Sequence, residues 1–179
     1  MTKPDTIFDR PAPHDLNAER SVLGAMLLNA DAFPGIVQVL GFNSEVFYVS
    51  GHQSIYAAAL RMFRENKPID IVLLAGELKP KAGDFADGPA TYLAGLTGAV
   101  PTSANAEWYA HIVKAHYIRR NIIQTLTAKI GSAYDTDEDV NQLIDAIETS
   151  VLGIRSEYEI HGPVDGFRLV HEFLDEVQR

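Results

Sequence analysis

Residues 106–130 read AEWYAHIVKAHYIRRNIIQTLTAKI, without a proline or a glycine. Trp108, Tyr109, Ile112, Val113, His116, Ile123, Leu126 and Ile130 recur at three- and four-residue steps, the spacing of one helix face. A polar turn, GSAYDTDED at 131–139, follows. A second stripe then runs through Val140, Leu143, Ile144, Ile147, Val151 and Ile154. Two long helices joined by a short polar turn make an αα-hairpin. Such a hairpin encloses little core of its own. Its apolar faces therefore need cover from the preceding helices or from another copy of the chain.

The segment before the hairpin reads as a helical head over 14–105. In LNAERSVLGAMLLN, at 16–29, Leu16, Val22, Leu23, Met26 and Leu27 gather on one face, with Asp15 placed to cap. A short apolar helix is expected over 32–40, with Pro34 near its start. A longer helix is expected behind Ser50 as cap, with Ile55, Ala59, Leu60 and Phe63 as its buried stripe. Asp70 can cap a helix carrying Val72, Leu73, Leu74 and Leu78. IDIVLL at 69–74 also suits a short buried strand, although no second β-rich segment offers a partner. A further short helix is expected over 91–97.

Residues 1–13, with Pro4, Pro11 and Pro13 among charges, read as a flexible arm. The hairpin is expected to end at 155 and a polar linker to fill 156–166. A last helix over 167–179 carries Phe167, Val170, Leu174 and Val177, a seam like that of a coiled coil. It is marginal alone and is expected to dock on something else. The fold class is thus all-α: head, hairpin, linker helix.

Chemistry is nearly absent from this pattern. A formal charge of −9 disfavours nucleic acid as the main partner, so little direct binding of it is expected. The chain has no cysteine, which removes thiolate metal sites and fits a reducing, cytoplasmic setting. No phosphate-loop motif, no His-Glu-x-x-His and no nucleophile elbow occurs. The six histidines are scattered, and His111 and His116 point to different sides of their helix. No catalytic residue, metal site or cofactor is expected. No stretch is apolar enough for a secretory signal or a membrane span, so no membrane partner is expected either. Lys114, Arg119, Arg120 and Lys129, with Tyr117 among them, could form a small basic patch. A solvated outer face pairing with acids of the second hairpin helix is the stronger reading.

A resemblance adds what the pattern cannot supply. Pro13, Ala18, Glu19, Val22, Leu23 and Gly24 match the opening of one family. Phe47–Tyr48, HQSIY at 52–56, PID at 68–70 with its apolar stretch to Leu78, Tyr92–Leu93, VPTSAN at 100–105, Tyr109 and Ile112–Val113 follow in the family's order. The chain resembles the N-terminal domain of bacterial hexameric replicative DNA helicases of the DnaB type. The resemblance implies that hairpins of neighbouring copies pair, and that dimers assemble as a trimer of dimers into a hexamer collar. It also implies that the collar receives the C-terminal domain of primase, and that the closing helix docks on the ATPase domain of a neighbouring helicase subunit. Ile123, Leu126, Leu143, Ile147 and Val151 are then the expected oligomer interface, and Asn17, Tyr92, Ile123 and Leu143 the expected primase-facing surface. Phe167, Val170, Leu174 and Val177 become the docking seam. The parent protein would be an ATP-dependent helicase from which this chain lacks the ATPase domain. Asn17 replaces the family's first acid. A stand-alone adaptor or inhibitor capping a helicase ring is the alternative, and a small helical enzyme the more distant one.

Overall fold

The computed structural model describes residues 10–134 and 139–161; of residues 80, 82 and 156–161 only the backbone is described. Seven α-helices follow in chain order, and the described residues hold no strand. They are α1 (Leu16–Leu28), α2 (Phe33–Leu40), α3 (Ser50–Arg64), α4 (Ile71–Glu77), α5 (Pro89–Gly98), α6 (Ala106–Ala133) and α7 (Val140–His161).

The central helix is α1, which packs chiefly on α6 and α5 and also on α3. Asp15 starts it, accepting from the amides of Asn17 and Ala18 at 3.0 Å each. Burial runs almost all round it, through Ala18, Glu19 and Val22–Met26, while Leu16 of the expected stripe is exposed. Close packing depends on Gly24. A side chain there would strike the Leu96 carbonyl of α5, and would lie 2.7 Å from Val100 Cγ2. The conformational freedom of glycine is not the reason; the approach of two helices is.

Local signals set the other boundaries. Pro34 lies in the first turn of α2, and Gly41, at φ 74°, ends that helix in the left-handed region. The buried hydroxyl of Tyr56 donates to the Gly41 carbonyl at 2.8 Å, and burial raises its pKa. Helix α3 begins one residue earlier than expected relative to its cap: Ser50 is the first helical residue and Val49 the capping position, with no capping side chain. Its buried stripe includes Ile55, Ala59 and Leu60. Met62 takes the position expected for Phe63, which is partly exposed and sits edge-on to Phe33 at 5.3 Å. Asn66, at φ 52°, closes α3, and the Lys67 amide returns to the Met62 carbonyl at 2.8 Å.

The ambiguity at 69–74 resolves to helix. Asp70 accepts from the amides of Val72 at 2.8 Å and Leu73 at 2.9 Å. Only Leu74 and Leu78, one turn apart, are fully turned inward; Val72 is 80% exposed.

In α6 the apolar face is rotated by about one residue from the sequence reading. Ala106, Ala110, Val113, Lys114, Tyr117 and Ile118 are buried, Tyr109 and Ile112 flank them, and Trp108 is 72% exposed. Small Ala106 and Ala110 let α6 lie close on α1 and α2; the size of an apolar side chain did not decide the facing. After Ile118 the helix leaves the head, and none of its later residues is fully buried. Helix α7 packs back on α6 and touches α2, with Ile154 meeting the head core. It runs to His161, into the stretch 156–166 expected as linker. After Gly153 the first helix-breaking residues are Gly162 and Pro163, so nothing stops it earlier. The seam of Phe167, Val170, Leu174 and Val177 lies outside the described residues.

Gly24→Ala is expected to destabilise the chain by about 1–3 kcal/mol through overpacking against α5. Urea unfolding followed by circular dichroism measures this. An unchanged midpoint would mean that α1 and α5 are not in the close contact described.

Candidate functional site

One carboxylate organises the head. Glu19 lies on the buried face of α1 and is 1% exposed, as is His52 on α3. Its Oε1 accepts from the Tyr48 amide at 2.6 Å and its Oε2 from the Val49 amide at 3.4 Å. Oε2 also lies 2.6 Å from His52 Nδ1. The other ring nitrogen of His52 is 2.7 Å from the Tyr92 hydroxyl on α5. Glu19 thus ties α1 to the chain entering α3, accepting from the amides of the two residues just before that helix. The Tyr92 ring packs on Phe85 at 5.3 Å, and burial raises its pKa, with Glu19 adding and Arg20 opposing.

A second polar device joins head and hairpin. Arg120 of α6 donates through Nη1 to the Pro13 carbonyl at 3.0 Å. Its Nη2 donates to the Val46 carbonyl at 2.7 Å and to that of Glu45 at 3.4 Å. Its guanidinium lies over the rings of Tyr48 and Tyr117, 5.9 and 5.7 Å from their centroids. Burial lowers its pKa, yet a guanidinium stays charged. Lys114 is buried beside the Tyr117 ring, 5.5 Å from its centroid. The expected outer face of four cations is therefore corrected: Lys114 and Arg120 belong to the head–hairpin junction. Their long apolar stems allow that. His116 shares this region; burial, then Arg119, lowers its pKa, and its Nδ1 has no hydrogen-bond partner.

The third feature is apolar. Beyond the head, Ile122, Ile123, Leu126 and Ile130 of α6 and Val140, Ile144, Val151 and Leu152 of α7 are exposed. A groove of about 380 Å³ is lined by Ile118, Ile122, Leu126, Val151, Ile154 and Arg155. Of the expected interface, Ile123, Leu126 and Val151 lie open, while Leu143 and Ile147 are half-buried. Of the expected primase-facing set, Asn17 and Ile123 are exposed, and Tyr92 and Leu143 are half-buried. The Tyr92 hydroxyl is also engaged within the head, by His52. Among the described residues no cluster of three metal-ligating side chains occurs. No helix described is long and apolar enough to cross a membrane.

Residues 11–115 match the model of the DnaB-like helicase N-terminal domain. The chain belongs to this family. The replicative DNA helicase DnaB of Leifsonia xyli subsp. xyli is 32% identical over 171 residues, which cover 95% of this chain and 37% of that protein. That of Rhodothermus marinus is 34% identical over 143 residues, covering 79% of this chain and 15% of its own. The chain thus spans well under half the length of these relatives. The crystal structure of the N-terminal domain of DnaB helicase from Mycobacterium tuberculosis superposes with a TM-score of 0.72 at 34% identity. It covers 80% of this chain and 99% of that one. A DnaB-like replicative helicase described with its interactions with primase shares the fold at 18% identity. There the TM-score is 0.63, over 90% of this chain and 35% of the other.

The DnaB-like motifs acquire physical meaning from this geometry. Glu19, His52 and Tyr92 come from three separate motifs and meet in one network; Gly24 is the α1–α5 contact; Pro13 supplies a carbonyl to Arg120. Sequence reasoning named these residues as motif members and missed their connections. The available signal was an acid, Glu19, placed one turn before Val22 and Leu23 on a helix face otherwise apolar.

Glu19→Ala leaves two amides and His52 without their partner and is expected to cost about 3–5 kcal/mol. Tyr92→Phe removes one hydroxyl contact and is expected to cost about 1 kcal/mol. Urea midpoints decide; a Glu19→Ala chain as stable as wild type would remove the network from its central place.

Proposed function

We propose that this chain is the collar domain of a replicative DNA helicase, assembling subunits and docking primase while a separate ATPase domain drives unwinding. The observation that carries the reading is the hairpin's apolar face. A surface with so many exposed isoleucines, leucines and valines on two adjacent helices needs a partner. A second copy presents the same face, and an isologous dimer buries both at once. Three such dimers closing into a ring would complete the hexamer, and the domain's relatives are replicative helicases.

The division of labour is physically reasonable. A collar can hold six subunits without taking part in hydrolysis, and no phosphate-loop motif occurs in these 179 residues. Primase captured on the collar gains effective concentration near the emerging strand. Its C-terminal domain would meet Asn17 and Ile123, with Tyr92 and Leu143 offering edges. The fold shared with a helicase described with its interactions with primase supports this partner. The linker helix would dock on a neighbouring subunit's ATPase domain, in a cytoplasmic replication complex.

Leu126→Asp places a charge on an exposed side chain of the hairpin, so the fold should survive. Sedimentation over a concentration series is expected to show self-association of the wild type, weakened at least tenfold in the variant. Calorimetry with the cognate primase C-terminal domain is expected to show binding by the wild type and weaker binding by Ile123→Asp. A wild-type chain that stays monomeric at every concentration contradicts the assembly role; one that binds no primase contradicts the docking role.

A further inference from the structure

His116 of α6 is a titratable group that neither polar device of the head uses. Its ring is half-buried, but Nδ1 is shut off from solvent and has no hydrogen-bond partner. A neutral ring with its proton on Nε2 leaves only a bare lone pair at that buried atom. Protonation places an N–H there. A buried donor without an acceptor is costly, and more so when it carries charge.

The surroundings also oppose that proton. After burial the largest influence is the charge of Arg119; Arg120 and His14 act in the same sense, and Asp15 opposes them. Arg120 stands one turn beyond His116 on the same side of the helix, and Lys114 is the other cation of this stretch, against the Tyr117 ring. Of the elements packed on α6, α1 brings Asp15, whose Oδ1 already accepts from the Asn17 and Ala18 amides, and Glu19, which acts on Arg120. The turn at 44–46 brings Glu45, which meets Arg120 through its carbonyl. Helix α2 has no titratable side chain, and Asp145, Glu148 and Arg155 of α7 are not among the charges acting on His116. The carbonyls of the junction are in use: those of Pro13, Glu45 and Val46 by Arg120, and that of Ala12 by His14 Nδ1 at 2.7 Å. A protonated His116 therefore competes with Arg120 for an acceptor or leaves its place.

We propose that His116 is a proton-sensitive latch on the head–hairpin junction: neutral, it leaves Arg120 on the carbonyls of Pro13, Glu45 and Val46, and protonated, it loosens that hold. The sign follows from burial. A histidine held below its ordinary value of about 6.5 is protonated more readily in the unfolded chain than in the folded one. The junction is therefore firm above that pH and loosens as pH falls through the folded value. The Asn43 side chain, which donates to the Tyr117 hydroxyl at 3.0 Å, does not titrate and keeps head and hairpin together. Loosening frees the direction in which α6 leaves the head. The latch thus regulates how the hairpin face is presented for assembly, and it rests on the proposed function only for this consequence.

Nitrogen NMR of the full-length chain reads both ends of the latch during one pH titration. His116 is expected to titrate below the ordinary histidine value and to carry its proton on Nε2 while neutral. Arg120, held by three carbonyls, is expected to give separate Nη signals above neutral pH, and these should merge with the same midpoint as His116. In His116→Gln the Nη signals should stay separate across the range, and in His14→Gln the wild-type response should persist. A His116 midpoint at or above the ordinary value overturns the proposal. So do Nη signals that ignore the titration of His116, an unchanged response in His116→Gln, or a response lost in His14→Gln. The wild-type titration decides even where a variant fails to fold. Neither signal requires self-association, so a chain that stays monomeric contradicts the assembly role and leaves this test intact.

Discussion

The carboxylate of Glu19 is the constraint on which the head depends. It is buried, and a buried charge is tolerated only when its acceptor capacity is filled. Two backbone amides before α3 and the His52 ring fill it, and His52 passes the connection on to Tyr92. One side chain thereby fixes the entry of α3, the face α3 presents to α1, and the position of α5. Apolar packing supplies the bulk of the stabilisation, but packing alone tolerates sliding and rotation. The polar connections select one arrangement. Gly24 then lets α5 close on α1 along the adjoining face.

Arg120 plays a corresponding part at the junction. It ties a mid-helix position of α6 to the carbonyls of Pro13, Glu45 and Val46, so α6 leaves the head in a defined direction. Past that point the hairpin is a single layer of two helices. A single layer cannot bury both sides of its apolar residues. Exposure of Ile122, Ile123, Leu126, Val151 and Leu152 follows from the architecture, and a rigid exit makes that exposed face presentable to a partner.

Much of this was legible in sequence where one local rule decided the outcome. Asp15 and Asp70 cap the helices they precede, Pro34 opens α2, and the proline- and glycine-free run from 106 gives a long helix. The all-α class follows from these. Positions decided by tertiary partners were not legible. Helix α3 starts at Ser50 without a capping side chain, its entry held by Glu19 from another helix, so Ser50 looked like the cap. The buried face of α6 is set by small Ala106 and Ala110 against α1 and α2, so Trp108 looked buried. Lys114 and Arg120 carry charge but bury long stems, so they looked solvated. Periodicity marks a helix well; it marks which of two neighbouring stripes faces inward poorly when alanine and the stems of long cations line one of them.

Native-state hydrogen exchange at the Tyr48 and Val49 amides tests the central claim most directly. Neither amide belongs to a helical hydrogen-bond ladder; the protection described for them comes from Glu19. If the buried carboxylate holds the head together, the Tyr48 amide should exchange only through unfolding of the whole head. Its opening free energy should then match that of core amides in α1. Exchange of Tyr48 at the rate of exposed loop amides, with α1 still protected, would contradict the account.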